Sequence, residues 1–184
     1  VNSTGTDGNP ARFAPYVEKQ STGDCVVQSA LVEMSGLAGK WVASHAGIDK
    51  EAVKLGVLAP NDDGGQFSAV NDKLFEHYGF KATVPKSTSR KTVMKDLAAG
   101  DAIQVAAYAG YLWQGVPVPG HSNEVWVDNS PVSPDHAVTV DAVNKSTYAV
   151  TITDTAVDMT YTIPWTQFAR AWATSGYLAI VISK

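Results

Sequence analysis

The chain has 184 residues, of which 45% are hydrophobic and 17% charged, with a formal net charge of −4. That length suits one globular domain with a true core, and the acidic balance excludes a nucleic-acid binder working through a basic surface. One cysteine excludes an intrachain disulfide and a multi-cysteine zinc cage, and no apolar run reaches the roughly 18–20 residues of a membrane span.

The opening VNSTGTDGNP is polar and rich in Gly, Ser and Thr. Residues 1–12 are therefore expected to be a flexible lead-in to a single domain over 13–184. The sequence does not begin with Met, and export followed by cleavage is the expectation for its location, which would make the protein secreted.

Asp24 stands at the head of a helical pattern. Val27, Leu31 and Met34, with Ala30 and Ala38, recur at helical spacing, and Gly36 and Gly39 punctuate the end. Cys25, the one cysteine, falls in the first turn of this helix. There the N–H groups and the positive end of the helix dipole favour a thiolate, the nucleophilic form of the side chain. A second helix is expected over 50–58, then a turn cluster at Asn61-Asp62-Asp63-Gly64-Gly65.

Phe67, Val70, Leu74 and Tyr78 make the next amphipathic face, stopped by Gly79. A short strand is predicted over 80–84, a helix over 89–99 and a buried strand over 102–108. Residues 109–134 hold many prolines and glycines and read as a long surface loop. Strands follow over 136–143, 147–154 and 159–163. Pro164 opens a helix with Trp165, Phe168, Ala169 and Trp172 on one face, and a final apolar strand spans 177–183. Helices first and antiparallel strands later predict an α+β fold.

The two strands around Asn144-Lys145-Ser146 carry a specific expectation. If those three residues form the loop, Val143 pairs with Thr147 and His136 falls opposite Asp154 on one face. Cβ atoms of such a pair lie about 4.5–5.5 Å apart, so an imidazole N–H reaches a carboxylate. A loop of two or four residues sets His136 against Thr155 instead. With the pair in place, Cys25, His136 and Asp154 are the candidate nucleophile, base and orienting acid, and Gln20 with the Cys25 backbone N–H is the candidate oxyanion hole. Taken singly, each residue has a plainer reading, as buried thiol, strand-start histidine, strand-end aspartate or loop glutamine. Their joint occurrence in this order points to chemistry.

Trp113 and Trp126 flank the long loop and are candidates to line a substrate cleft, whereas Trp165 and Trp172 read as core. His45, His77 and His121 are not spaced as a metal motif, and Asp62-Asp63-Gly64 lacks the acidic ladder and closing Glu of a calcium loop. No metal or cofactor is expected.

Several segments carry a family likeness. They are Gln20 and Asp24-Cys25 leading into a helix, Gly64-Gly65 followed by Leu74 and His77-Tyr78-Gly79-Phe80, and Leu97 through Ile103. Asp135-His136-Ala137-Val138-Thr139-Val140 and Thr153-Asp154 complete the set. Together they resemble the papain-like cysteine peptidases, in particular the branch of bacteriocin-processing, double-glycine leader peptidases. The resemblance implies a papain-like fold with an N-terminal helical half and a C-terminal antiparallel sheet. It also implies a thiol hydrolase that cleaves a peptide or other amide bond of a peptide or protein substrate through an acyl-thioester. The chain departs from the family pattern in three places: Gln20 lies one position closer to the cysteine, Val26 and Val27 follow it where small residues are usual, and Asp154 precedes Thr155 rather than proline. The alternatives are a catalytically silent binding or regulatory module on the same fold, or a secreted effector performing amide exchange or deamidation.

Overall fold

The computed structural model describes residues 5–20, 23–61, 67–119 and 132–184. Among these, seven strands form one antiparallel sheet: β1 (Thr6–Gly8), β2 (Lys81–Thr83), β3 (Ala102–Ala107), β4 (His136–Asn144), β5 (Val150–Asp154), β6 (Met159–Ile163) and β7 (Ala179–Ser183). Their order is β2-β7-β3-β4-β5-β6, and β1 pairs with the far end of β4. The helices are α1 (Cys25–Ala38), α2 (His45–Lys54), α3 (Phe67–Ala69), α4 (Phe75–His77), α5 (Arg90–Ala99), α6 (Ala109–Leu112) and α7 (Trp165–Ala173), with a π-helical turn at Val70–Leu74 joining α3 to α4. The architecture is α+β with its first helices ahead of the main sheet, as expected, although β1, β2 and β3 already belong to that sheet.

Strand alternation sends side chains into two cores. Ala102, Ala137, Ile180 and Ile182 join α1 and α2 on one face. Ile103, Val105, Val138, Val140 and Ile152 join α5 and α7 on the other. Covered on both faces, the central strands are buried almost throughout, with the polar side chains of Gln104, Thr139 and Asp141 included.

α1 is the most enclosed helix: every residue from Cys25 to Leu37 is buried. Apolar packing alone does not account for its inner side. Ser29 Oγ donates to the Ala137 carbonyl at 3.1 Å, Gln104 Nε2 donates to the Val26 carbonyl at 2.9 Å, and Thr139 Oγ1 donates to Glu33 Oε1 at 3.0 Å. Burial raises the Glu33 pKa well above the ordinary carboxylate value, more than Thr139 lowers it. Asp24 occupies the N-cap position without a side-chain capping bond. Its carboxylate instead accepts from Gln28 Nε2 at 3.0 Å.

One expectation is corrected. The second helix begins at His45, not residue 50, because Ser44 caps it by accepting from the Gly47 N–H at 3.1 Å. The described part of the lead-in carries β1. Thr6–Gly8 pairs with Ala142–Asn144, and the Asn9 N–H donates to the Asp141 carbonyl at 3.1 Å. Backbone pairing is indifferent to the polar side chains that made this segment look unstructured. Gly8 fits the approach: its φ is +94°, and a Cβ there would stand 2.2 Å from the Asp141 oxygen.

Candidate active site

Asp154 ends β5 in the second core, fully buried, and its carboxylate is saturated. Oδ1 accepts from His136 Nε2 at 2.8 Å and from the Ala156 N–H at 3.0 Å. Oδ2 accepts from Trp113 Nε1 and from the Tyr161 hydroxyl, each at 2.9 Å. Burial works to raise its pKa, but the imidazolium's charge and these donors together hold it below the usual carboxylate value. Tyr161 is pushed well upward by burial and by the adjacent carboxylate, which keeps its O–H a donor.

His136 opens β4 and is 7% exposed. With Nε2 on Asp154, Nδ1 is the nitrogen that remains for the thiol of Cys25, the other side chain with which the ring interacts through a hydrogen bond and through charge. Burial opposes the imidazolium. The carboxylate of Asp154 and the sulfur of Cys25 outweigh it and lift the pKa from 6.5 to about 10. The start of α1 thus meets the start of β4, and the three residues singled out in the sequence stand in the order thiol, imidazole, carboxylate.

The pair forms by a different register from the one expected. Six residues separate the paired Val143 and Val150, so the loop is longer than three and even in length. Continued without interruption, that register would set Asp154 opposite Thr139, on the face toward α1 and away from His136. A β-bulge intervenes: Ala142 pairs with Thr151, but Val140 pairs with Ile152, leaving Asp141 as the extra residue. Asp154 is thereby brought level with Val138. His136 lies two residues along on the same face, and the contact is diagonal rather than directly cross-strand. Asp141 is itself buried, accepts from Thr153 Oγ1 at 2.7 Å, and has its pKa raised well above the carboxylate norm by burial.

Trp113 stands beside this pair as a donor to the acid. Its indole centroid lies 5.7 Å from that of His136. It follows α6, which is held at both ends. Asp135 Oδ1 accepts from the Ala109 N–H at 2.9 Å, and Gln167 Nε2 reaches the carbonyls of Tyr111, Leu112 and Gln114 at 2.8–3.0 Å. Trp126, His121 and Asp62-Asp63-Gly64 lie outside the described residues. Gln20 is anchored beside the acid: its N–H donates to the Thr155 carbonyl at 2.9 Å, and its Oε1 accepts from Thr155 Oγ1 at 2.8 Å. Thus Nε2 is the donor end of that amide. His45 pairs with Glu18 and His77 with Glu51 on the surface, apart from this site. Among the described residues, no group of three His, Cys, Asp or Glu side chains is placed to hold a metal ion, and no helix is long and apolar enough to cross a membrane.

Tyr161 was not anticipated from the sequence. Carrying the strand alternation across the turn after Asp154 would have found it, since Asp154 pairs with Met159 and Tyr161 pairs with Ile152 on the acid's own face.

No family model matches the chain. Uncharacterized proteins from Mycobacterium bovis and Mycobacterium tuberculosis strain H37Rv are each 28% identical to it over 192 residues, taking in 91% of this chain and 80% of theirs. Among solved structures, that of a "putative C39-like peptidase" from Bacillus anthracis matches with a TM-score of 0.62 at 15% identity, covering 94% of this chain and 96% of that one. The likeness shows the fold: this chain has the papain-like α+β architecture of a C39-like peptidase structure.

Proposed function

We propose that this protein is a cysteine hydrolase that cleaves a peptide or other amide bond through Cys25, His136 and Asp154. The observation that carries the reading is the His136 imidazole, held between the Cys25 thiol and a buried Asp154 that accepts four hydrogen bonds. A carboxylate so saturated orients the ring and stabilises its cation without itself taking the proton.

The Cys25 thiolate attacks the carbonyl carbon, forming the C–S bond and a tetrahedral oxyanion. The Cys25 backbone N–H and Gln20 Nε2 are the donors assigned to that oxyanion. The His136 imidazolium gives its proton to the amide nitrogen as the C–N bond breaks, and the amine leaves. Water then attacks the acyl-thioester, its proton passing to His136, and the acid is released with the thiolate restored. Trp113 forms one wall beside the ring, and Trp126 is assigned to the substrate side as well. The substrate is a peptide or protein chain, and secretion is the location that suits it.

The test is digestion of a defined peptide mixture followed by mass spectrometry, with Cys25→Ala as the blank, alongside iodoacetamide alkylation of Cys25 against pH in wild type and His136→Ala. Cleavage products that vanish in Cys25→Ala, with alkylation that is rapid below neutral pH and slowed by His136→Ala, are expected. Slow alkylation indifferent to His136, with no cleavage, would leave a binding module on a papain-like fold.

A further inference from the structure

The Cys25–His136 encounter joins two elements that meet only in the folded chain, a helix start and a strand start. Apolar packing between them is non-directional and tolerates sliding or rotation of α1. Hydrogen bonds are directional and fix a register. Two of them sit one residue from the reacting side chains. Gln104 Nε2 holds the carbonyl of Val26, which follows Cys25, and Ser29 Oγ holds the carbonyl of Ala137, which follows His136. We propose that Gln104 and Ser29 are positioning residues that set the separation and angle of Cys25 and His136 by pinning α1 to β3 and β4. The inference rests on reading those two side chains as a nucleophile–base pair.

Stability does not explain Gln104. It is fully buried on β3 between Ile103 and Val105, and its Oε1 has no hydrogen-bond partner. A buried unpaired amide oxygen is unfavourable, and an apolar side chain would remove it. What Gln104 alone supplies is an N–H aimed at the first turn of α1. Its strand neighbour on β4, opposite it in register, is Thr139, whose hydroxyl reaches Glu33 two turns further along the same helix. Ser29, one turn from Cys25, lies between these two anchors. The helix is therefore held at three points along one side, the two nearest the thiol being Gln104 and Ser29. A reacting pair displaced by about 1 Å loses on the order of a hundredfold in rate, so pins at this position are matched to what the pair requires.

The test uses the full chain with Gln104→Leu, Ser29→Ala and the double variant. Ile48→Val is a control in the same core, and His136→Ala is the reference. The readout is the rate of iodoacetamide alkylation of Cys25 across about pH 5 to 9, with circular dichroism confirming the fold. Each single variant is expected to slow alkylation below neutral pH about tenfold and to move the profile toward that of His136→Ala. The double variant should do so further, while Ile48→Val loses stability and keeps the wild-type profile. Profiles of Gln104→Leu and Ser29→Ala that superimpose on wild type, while His136→Ala still slows the reaction, overturn the positioning role and leave the pair intact. A wild type that His136→Ala does not change overturns the pair itself, and with it the assignment made here.

Discussion

The indole N–H of Trp113 reaches Asp154 Oδ2 at 2.9 Å, opposite the oxygen that holds His136. The aromatic ring is therefore tied to the acid from which the imidazole takes its orientation. Trp113→Phe keeps the ring beside His136 and removes only the donor. A hydrogen bond to a charged group is worth about 1.5–3 kcal/mol, so kcat/KM is expected to fall about tenfold or more with KM little changed. Steady-state kinetics decide it: a rise in KM at constant kcat would make Trp113 a substrate contact and nothing else.

The buried pair also sets a pH range for stability. The folded pKa of His136 is raised from 6.5 to about 10, so its contribution is complete below 6.5 and is lost as pH climbs through 10. Asp154 is shifted the other way, so its contribution is present above 3.8 and is lost as pH falls through its lower folded value. Urea unfolding of wild type and His136→Gln should show the largest gap between about pH 4 and 6.5, narrowing toward pH 10. A gap that widens with rising pH would refute the ion pair.

Glu33 behaves in the opposite sense to Asp154. Its folded pKa is raised by burial, so folding is favoured at low pH and stability drains away as pH rises above the ordinary value of 4.5. Glu33→Gln keeps the acceptor for Thr139 and removes the titration. The variant should match wild type near pH 4 and become the more stable of the two as pH rises, by up to about 1.4 kcal/mol per pH unit. Equal pH dependence in the two proteins, followed by urea midpoints, would count against a neutral acid at this position.

Gly8 and Gly5 offer a matched comparison at the start of the chain. Both have positive φ, but only at Gly8 does an added Cβ meet the Asp141 oxygen, whereas at Gly5 it meets nothing within 4 Å. Gly5→Ala should cost about 1 kcal/mol from backbone conformation alone. Gly8→Ala should cost at least twice that and disturb the bulge beside it. Thermal unfolding of the two variants separates the contributions, and similar losses would mean that the close approach is not needed.

The order of elements was legible because periodicity is a local property: α1, β3 and α7 follow from spacing and from Gly or Pro near their ends, and β4 from spacing alone. So was the set of Cys25, His136 and Asp154, but the geometric route to it was not. The expected three-residue loop and the actual even-length loop with a bulge give the same face for His136 and Asp154, so the contact was right for a wrong register. Nothing in Val140-Asp141-Ala142 announces a bulge, and the backbone from β1 to Asn9 that bonds Asp141 beside it comes from the other end of the chain. Trp113 was visible as a residue near the loop, while its bond to Asp154 depends on α6, held by Asp135 and Gln167 from distant elements. Such partnerships are long-range, and a linear pattern does not carry them.

The register beyond the bulge at Asp141 has a bearing on which changes of length this hairpin tolerates. Residues added or removed between Asn144 and Ala149 only change the length of the loop, because the buried pairs beyond it, such as Val140 with Ile152, set the register that gives His136 and Asp154 a common face. A single residue added or removed inside β4 between His136 and Val140, or inside β5 between Ile152 and Asp154, turns one partner to the other face. Loop engineering in this hairpin should therefore be confined to the loop itself, and natural indels compatible with the site should fall there and spare the two strands.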